Sequence, residues 1–201
     1  MKKASWFAGL TTLFVVTTIA AASAQAPAGV PVFKFDKAKS SIGFNVKASV
    51  AIAGKFDQWD ATLTFTSADA TSGVLDIKAY ANSVDTGSGM KDGKLKSKDF
   101  FDADHDPYIT FHSTKIVQTG ANTFEIDGDF TIRGVTKAEK LTLTASGIGK
   151  GVGGVKGMMA FDRKDYGMNS GIPFIKIADR VEVDVDLNGE RVSGPPLVFK
   201  K

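Results

Sequence analysis

The chain has no cysteine and only two histidines in 201 residues. Without cysteine there is no disulfide, no thiolate nucleophile and no thiolate metal site, so stability has to come from a packed core. With so little histidine, the usual acid–base and metal-binding sets are scarce. His105 lies in DADHDP beside Asp102, Asp104 and Asp106. No second nearby histidine or spaced acid completes a tetrahedral set, and the stretch lacks the glycine and distal glutamate of a calcium loop. It reads as a polar loop whose entry into a strand is fixed by Pro107. His112 falls on the polar face of a strand. No G-x-S-x-G occurs, and the glycines of GIGKGVGGVKG (147–157) lack a phosphate-binding pattern, so this run reads as a flexible hairpin or bent strand. Helical spacing is also rare.

What is present begins with a leader-like segment. Lys2 and Lys3 precede an apolar run from Trp6 to Ala22, followed by small residues through Ala24. This is the pattern of a signal peptide, with cleavage expected after Ala24 and a periplasmic destination; residues 25–201 are then one domain. The leader carries two of the 25 basic residues and no acid, which leaves 23 basic against 22 acidic residues. That near-neutral balance gives no reason to expect a nucleic-acid partner. No second apolar span follows that could cross a membrane as a helix.

From residue 33 onward the dominant period is two. IGFNVKA places Ile42, Phe44, Val46 and Ala48 on one face, and WDATLTF does the same with Trp59, Ala61, Leu63 and Phe65. LDIKAY gives Leu75, Ile77 and Ala79, and YITFHSTKI gives Ile109 and Phe111. FEIDGDFTIR gives Phe124, Ile126, Phe130 and Ile132 against acids and Arg133. LTLTA and VEVDVDL add Leu141, Leu143, Ala145 and then Val181, Val183, Val185, Leu187. Strict alternation of this kind marks half-buried strands. About eight such strands with short connections predict an all-β, eight-stranded antiparallel barrel or sandwich. One connection, residues 82–107, lacks alternation and contains KDGKLKSKDFF; a long loop or short helix is expected around residues 87–101.

Fifteen phenylalanines concentrate on the apolar faces. A barrel of eight strands can hold a small or elongated ligand inside. Phe44, Val46, Phe65, Ile77, Phe111, Phe130, Ile132 and Val183 are the strand residues expected to line such a cavity. A hydrocarbon would be the natural occupant, gaining about 0.8 kcal/mol per buried methylene before ordering costs.

Several motifs in order then resemble the YceI family of periplasmic polyisoprenoid-binding proteins. Ser83, Asp85 and Thr86 match its S-x-D-T; Asp92, Leu95, Ser97, Asp99, Phe100 and Phe101 match its R-D-x-H-L-R-S-x-D-F-F. Pro107, Phe111, Ser113 and Thr114 match the segment that follows, and GDFTIRGVTK and FDRKDYGM are similar to later family motifs. Lys91 and Lys96 stand where the family usually has arginine, and Lys94 where it has histidine. The resemblance implies a lipocalin-like barrel with an isoprenoid lipid or quinone bound non-covalently, no other cofactor and no metal, and no enzymatic activity. It further implies that Leu95, Phe100, Phe101 and Phe161 join the cavity wall and that Lys91, Lys94 or Lys96 meets a lipid head group. A transient membrane contact and a homodimer are compatible with this reading. Two alternatives share the same periodicity: a small outer-membrane barrel, and a secreted barrel enzyme acting on lipid-like esters, in which Asp85, Asp92 and Asp99 would be the first acids to test.

Overall fold

The structure, a computed structural model, describes residues 29–49, 52–147, 150–171 and 176–200. The leader expected over residues 1–24 lies outside the described residues. Among the described residues there are eleven strands in one sheet. They are β1 (Val32–Phe35), β2 (Ser41–Ala48), β3 (Ile52–Phe56), β4 (Trp59–Phe65), β5 (Gly73–Tyr80) and β6 (Val84–Asp85). After the helix α1 (Gly89–Lys96) come β7 (Tyr108–Gln118), β8 (Thr123–Ile132), β9 (Val135–Ser146), β10 (Val152–Asp162) and β11 (Ile177–Ser193).

The hydrogen-bonded order is β4-β5-β7-β8-β9-β10-β11-β2-β3-β6, with β1 added to β11 beyond β2. Neighbouring strands are antiparallel, and the sheet curls into a lipocalin-like barrel with one seam closed by side chains instead of a ladder. β1 runs beside β4 at this seam. The Phe33 and Phe65 rings meet there at 5.8 Å, and Lys37 reaches across to Asp60 at 2.8 Å. The all-β class and the short helix in the long connection are as the sequence predicts, but there are eleven strands instead of eight. β1, β3 and β6 account for the difference. At four, five and two residues they are too short to display a period-two pattern.

The inward faces follow the alternation closely. Ile42, Phe44 and Val46 of β2, Leu75, Ile77 and Ala79 of β5, and Phe124, Ile126, Phe130 and Ile132 of β8 are all buried. Their outward neighbours are exposed or half-buried. The hairpin between β8 and β9 has only Arg133 and Gly134 at its tip, both with positive φ (54° and 68°). A two-residue turn of that shape continues the right-handed twist of its strands, and glycine adopts it without strain. Where β1 lies over β11, a side chain at Gly189 would come within 2.4 Å of the Lys34 carbonyl oxygen, so only glycine permits that approach.

One irregularity has a clear chemical repair. β7 shifts register against β8 between Ser113 and Lys115. On the other side of β7, its pairing with β5 stops at Asp76 and His112. The next amide, that of Leu75, donates to the buried Ser113 hydroxyl at 2.8 Å, and Thr114 donates to the Asp127 carbonyl at 3.1 Å. The Ser–Thr pair therefore supplies bonds that the ladder loses at its bulge. Ser113→Ala leaves the Leu75 amide buried without an acceptor. A loss of about 1–3 kcal/mol is expected. Urea unfolding would read it as a lower midpoint at unchanged slope.

Candidate functional site: an apolar cavity beneath helix α1

At the end of the barrel where β7 begins and β8 and β10 finish, the inward side chains enclose a cavity of about 100 Å³. Its wall runs round the sheet: Ile42, Phe44 and Val46 of β2, Ile77 and Ala79 of β5, Ile109 and Phe111 of β7, Phe130 and Ile132 of β8, and Val181, Val183 and Val185 of β11. Two aromatic groups stiffen it. Phe44, Phe56 and Phe101 meet at ring separations of 5.8–6.1 Å. Phe130, Phe161 and Tyr166 meet at 5.0–5.5 Å. Tyr166 is fully buried and donates its hydroxyl to Glu139 at 2.8 Å. Burial first, and then the Glu139 carboxylate, hold its phenol far above the ordinary range, so it stays neutral.

The cover over this end comes from the long connection. α1 is a poor helix by composition, since it contains Gly89 and Gly93 and its N-terminal Ser88 makes no side-chain cap. Packing and two side-chain bonds hold it instead. Leu95 is buried among the wall residues. Asp92 accepts from both the amide and the hydroxyl of Thr86, at 2.8 and 2.6 Å, which fixes the first turn to the end of β6. Lys94 and Lys96 in the last turn complement the helix dipole. Lys94 donates to Asp99 at 2.5 Å and lies 5.7 Å from the Phe100 ring centre. Backbone bonds from Phe100 to Ser97, Phe101 to Leu95 and Ala103 to Lys96 coil the chain back and turn both phenylalanines inward.

Arg163 anchors the opposite rim. It is 6% exposed and lines the cavity. Its guanidinium donates to the carbonyls of Met168, Ala178 (3.2 Å) and Ser170 (3.0 Å) and to the Asp179 carboxylate (3.0 Å). These bonds tie the turn after β10 to the start of β11. All three guanidinium nitrogens are thus engaged by protein groups.

Of the residues the sequence nominates for the wall, Phe44, Val46, Ile77, Phe111, Phe130, Ile132 and Val183, with Leu95, Phe100, Phe101 and Phe161, all border this one cavity. Phe65 does not. It is inward and buried, but it lies at the far end of β4 against Phe33. Alternation assigns a face of the sheet and says nothing about height along the barrel axis. Lys91 and Lys94 border the cavity and Lys96 does not. Sequence reasoning did not nominate Arg163 and Met168 for the wall: they lie in a turn and carry no periodic signal, although the motif FDRKDYGM contains both. It also left out Ile42, Ile109, Leu141 and Val185, whose alternation was visible. His105 pairs with Asp102 at 2.9 Å and His112 with Asp76 at 2.6 Å, both exposed and away from the wall. Among the described residues no group of three or more His, Asp or Glu side chains could hold a metal ion.

The three acids of the enzyme alternative are all engaged locally. Asp85 accepts from the Gly87 amide at 2.8 Å, Asp92 from Thr86, and Asp99 from Lys94, and none borders the cavity.

An antiparallel barrel with an enclosed apolar interior and a helical cover is the class that fold and cavity define. Residues 33–189 match the YceI-like domain family, and the chain belongs to it. It is 31% identical over 142 residues to a UPF0312 protein of Pectobacterium atrosepticum, covering 69% of this chain and 73% of the relative. Among solved structures it is similar to BcnA of Burkholderia cenocepacia, with TM-score 0.70 and 26% identity over 77% of this chain and 99% of that one. A polyisoprenoid binding domain from Saccharophagus degradans, implicated in plant cell wall breakdown, shares the fold at TM-score 0.61 and 15% identity, over 80% of this chain and 99% of that one.

The cover has an acid-sensitive clasp. The hydrogen bonds from Thr86 hold the Asp92 carboxyl below the ordinary aspartate value of 3.8, and Lys94 does the same for Asp99. A depressed value means that the bonds stabilise the cover fully above the ordinary value and are lost as pH falls through the folded one. Hydrogen-exchange protection over residues 89–101 should therefore drop on acidification below that value while the β8 and β9 amides remain protected. In Asp92→Asn the protection should already be lower at neutral pH and change less with acid.

Proposed function

We propose that the protein binds a long-chain amphiphilic lipid of isoprenoid type, a prenyl phosphate or quinone, with its hydrocarbon inside the barrel and its head near α1. The observation that carries the reading is the composition of the cavity wall. Among the described residues its polar side chains are Thr110, Arg163, Lys91 and Lys94; the two lysines are on α1, and Lys94 also donates to Asp99. A wall of this kind offers a hydrocarbon continuous apolar contact and offers an anionic head two cations at one end. Along β2, where the register is regular, the lined span from Ile42 to Val46 is roughly 10 Å along the axis, at about 3.3 Å per residue and a tilt near 40°. The Saccharophagus domain of the same fold, described as polyisoprenoid binding, supports the reading.

No catalytic step is needed. The engaged state of Asp85, Asp92 and Asp99 counts against the esterase alternative. The outer face counts against a membrane-spanning barrel: it carries charge pairs such as Lys140–Glu125 at 2.8 Å and Lys156–Asp186 at 3.1 Å, with the apolar residues inside, the reverse of a barrel that faces lipid. The leader-like residues 1–24 support a periplasmic site of action, where such a protein would carry, store or sense its lipid.

Native mass spectrometry on protein prepared without detergent, then titrated with farnesol and farnesyl phosphate, tests the reading. Both should add one ligand mass. The double variant Lys91→Glu/Lys94→Glu should weaken the phosphate about tenfold or more, equivalent to about 1.4 kcal/mol, and leave the alcohol nearly unchanged. Failure of the wild type to bind either compound would refute lipid binding. Equal effects on both compounds would refute the head-group role of the lysines.

A further inference from the structure

A second, mostly apolar cavity of about 110 Å³, with Ser146, Arg191 and the exposed Val152 also in its wall, lies at the opposite end of the barrel. Phe33, Leu63, Ala145, Val155, Leu197 and Phe199 are among the residues around it. The chain after β11 straps this end shut. Val198 pairs with Asp69 in a parallel bridge, its amide donating to the Ala68 carbonyl at 2.7 Å. Lys200 and Gln118 exchange two bonds at 2.7 and 2.9 Å, and Phe199 packs edge-on to Phe124 at 6.0 Å.

Three adjacent strands run from one space to the other. On β9 the inward residues run Leu141, Leu143, Ala145: the first borders the upper cavity, the last borders the lower one, and Leu143 borders neither. On β10 the same order is Met159, Gly157, Val155, and on β11 it is Val185, Leu187, Gly189. Across the ladder Gly157 pairs with Leu143 on one side and Val185 on the other, and Leu187 pairs with Val155. Leu143 is 5% exposed and Leu187 0%. Leu75 and Ile126, on β5 and β8, are equally buried and border neither cavity. Leu75, Ile126, Leu143 and Leu187 are thus buried core residues that lie outside both cavities.

We propose that these residues form a floor that sets the length of hydrocarbon the protein accepts, with Leu143 and Leu187 as its length-determining residues. The inference rests on the reading of the upper cavity as a lipid site. A chain entering from the α1 end gains apolar contact until its tip reaches Leu143 and Leu187. Going further means pushing aside close-packed side chains, which a packed interior resists. A longer chain must fold back or leave its head beyond reach of Lys91 and Lys94, so binding passes through an optimum length. Shortening the floor would open the upper space into the lower one, whose mostly apolar wall is already built and whose far end Phe199 stops. Narrowing the upper space does the opposite. A side chain at Gly157 would lie 3.0 Å from a methyl of Leu141 and push that residue into the upper cavity.

The test is a titration of geraniol, farnesol, geranylgeraniol and solanesol, followed by native mass spectrometry, on the wild type, Leu143→Ala and Gly157→Ala. Circular dichroism melts confirm that each is folded. The wild type should show an affinity maximum within the series. Leu143→Ala should move the maximum to a longer alcohol and bind that alcohol about fivefold more tightly than the wild type does, whereas Gly157→Ala should move it to a shorter one. If Leu143→Ala does not fold, Leu143→Val should give the same direction with a smaller shift. Superimposable length profiles for the folded variants and the wild type, or a wild-type affinity that rises without a maximum through solanesol, would overturn the floor while leaving lipid binding intact. No binding of any alcohol by the wild type would overturn the lipid reading and the floor with it.

Discussion

Keeping water off the inward face of the curled sheet is the constraint on which the other features depend. The strands supply the apolar face by simple alternation, but a barrel is open at both ends and at any seam its ladder does not close. Each opening has its own remedy. α1 and the turns after it cover one end, the chain after β11 straps the other, and the β1–β4 seam is filled by Phe33, Phe65 and the Lys37–Asp60 pair. The helical cover is the weakest in intrinsic propensity, with two glycines in eight residues, and it depends most on specific bonds.

The family motifs take on a structural meaning in this light. Thr86 and Asp92 clasp the helix, Asp99 holds Lys94, Ser113 and Thr114 repair a bulge, and Arg163 binds the rim. These residues shape and secure the container. Of the positions at which this chain departs from the motif, Lys91, Lys94 and Lys96, the first two border the cavity, and Lys94 also belongs to the clasp through Asp99.

Most of the inward face was legible in the sequence, because period-two alternation over segments such as FEIDGDFTI leaves one reading of which side is buried. The helix was legible only as an interruption of that pattern. The strand count fell short because β1, β3 and β6 are too short to alternate visibly. Height along the barrel was not legible at all. Phe65 and Phe111 carry the same signal, yet one packs at the seam's far end and the other lines the upper cavity. The same blindness hides the floor, since Leu141, Leu143 and Ala145 alternate uniformly through three different environments. Arg163 was not nominated for the wall because a turn has no period, and its role follows from a set of carbonyls that only the folded chain brings together.

β11 runs for seventeen residues and hydrogen-bonds to β10, to β2 and to β1. The first two strands of the barrel therefore find a ladder partner in the last one, across separations such as the 148 residues between Ser40 and Asn188. β3 can pair with β2 early, but the circle of strands cannot join until that final segment arrives. Pairing at such distance carries a large loop-closure cost before any contact rewards it, which slows folding of this topology. Until that segment arrives the apolar face of the sheet is consequently uncovered, and the container comes into being only in the last step, when β11 closes the ring.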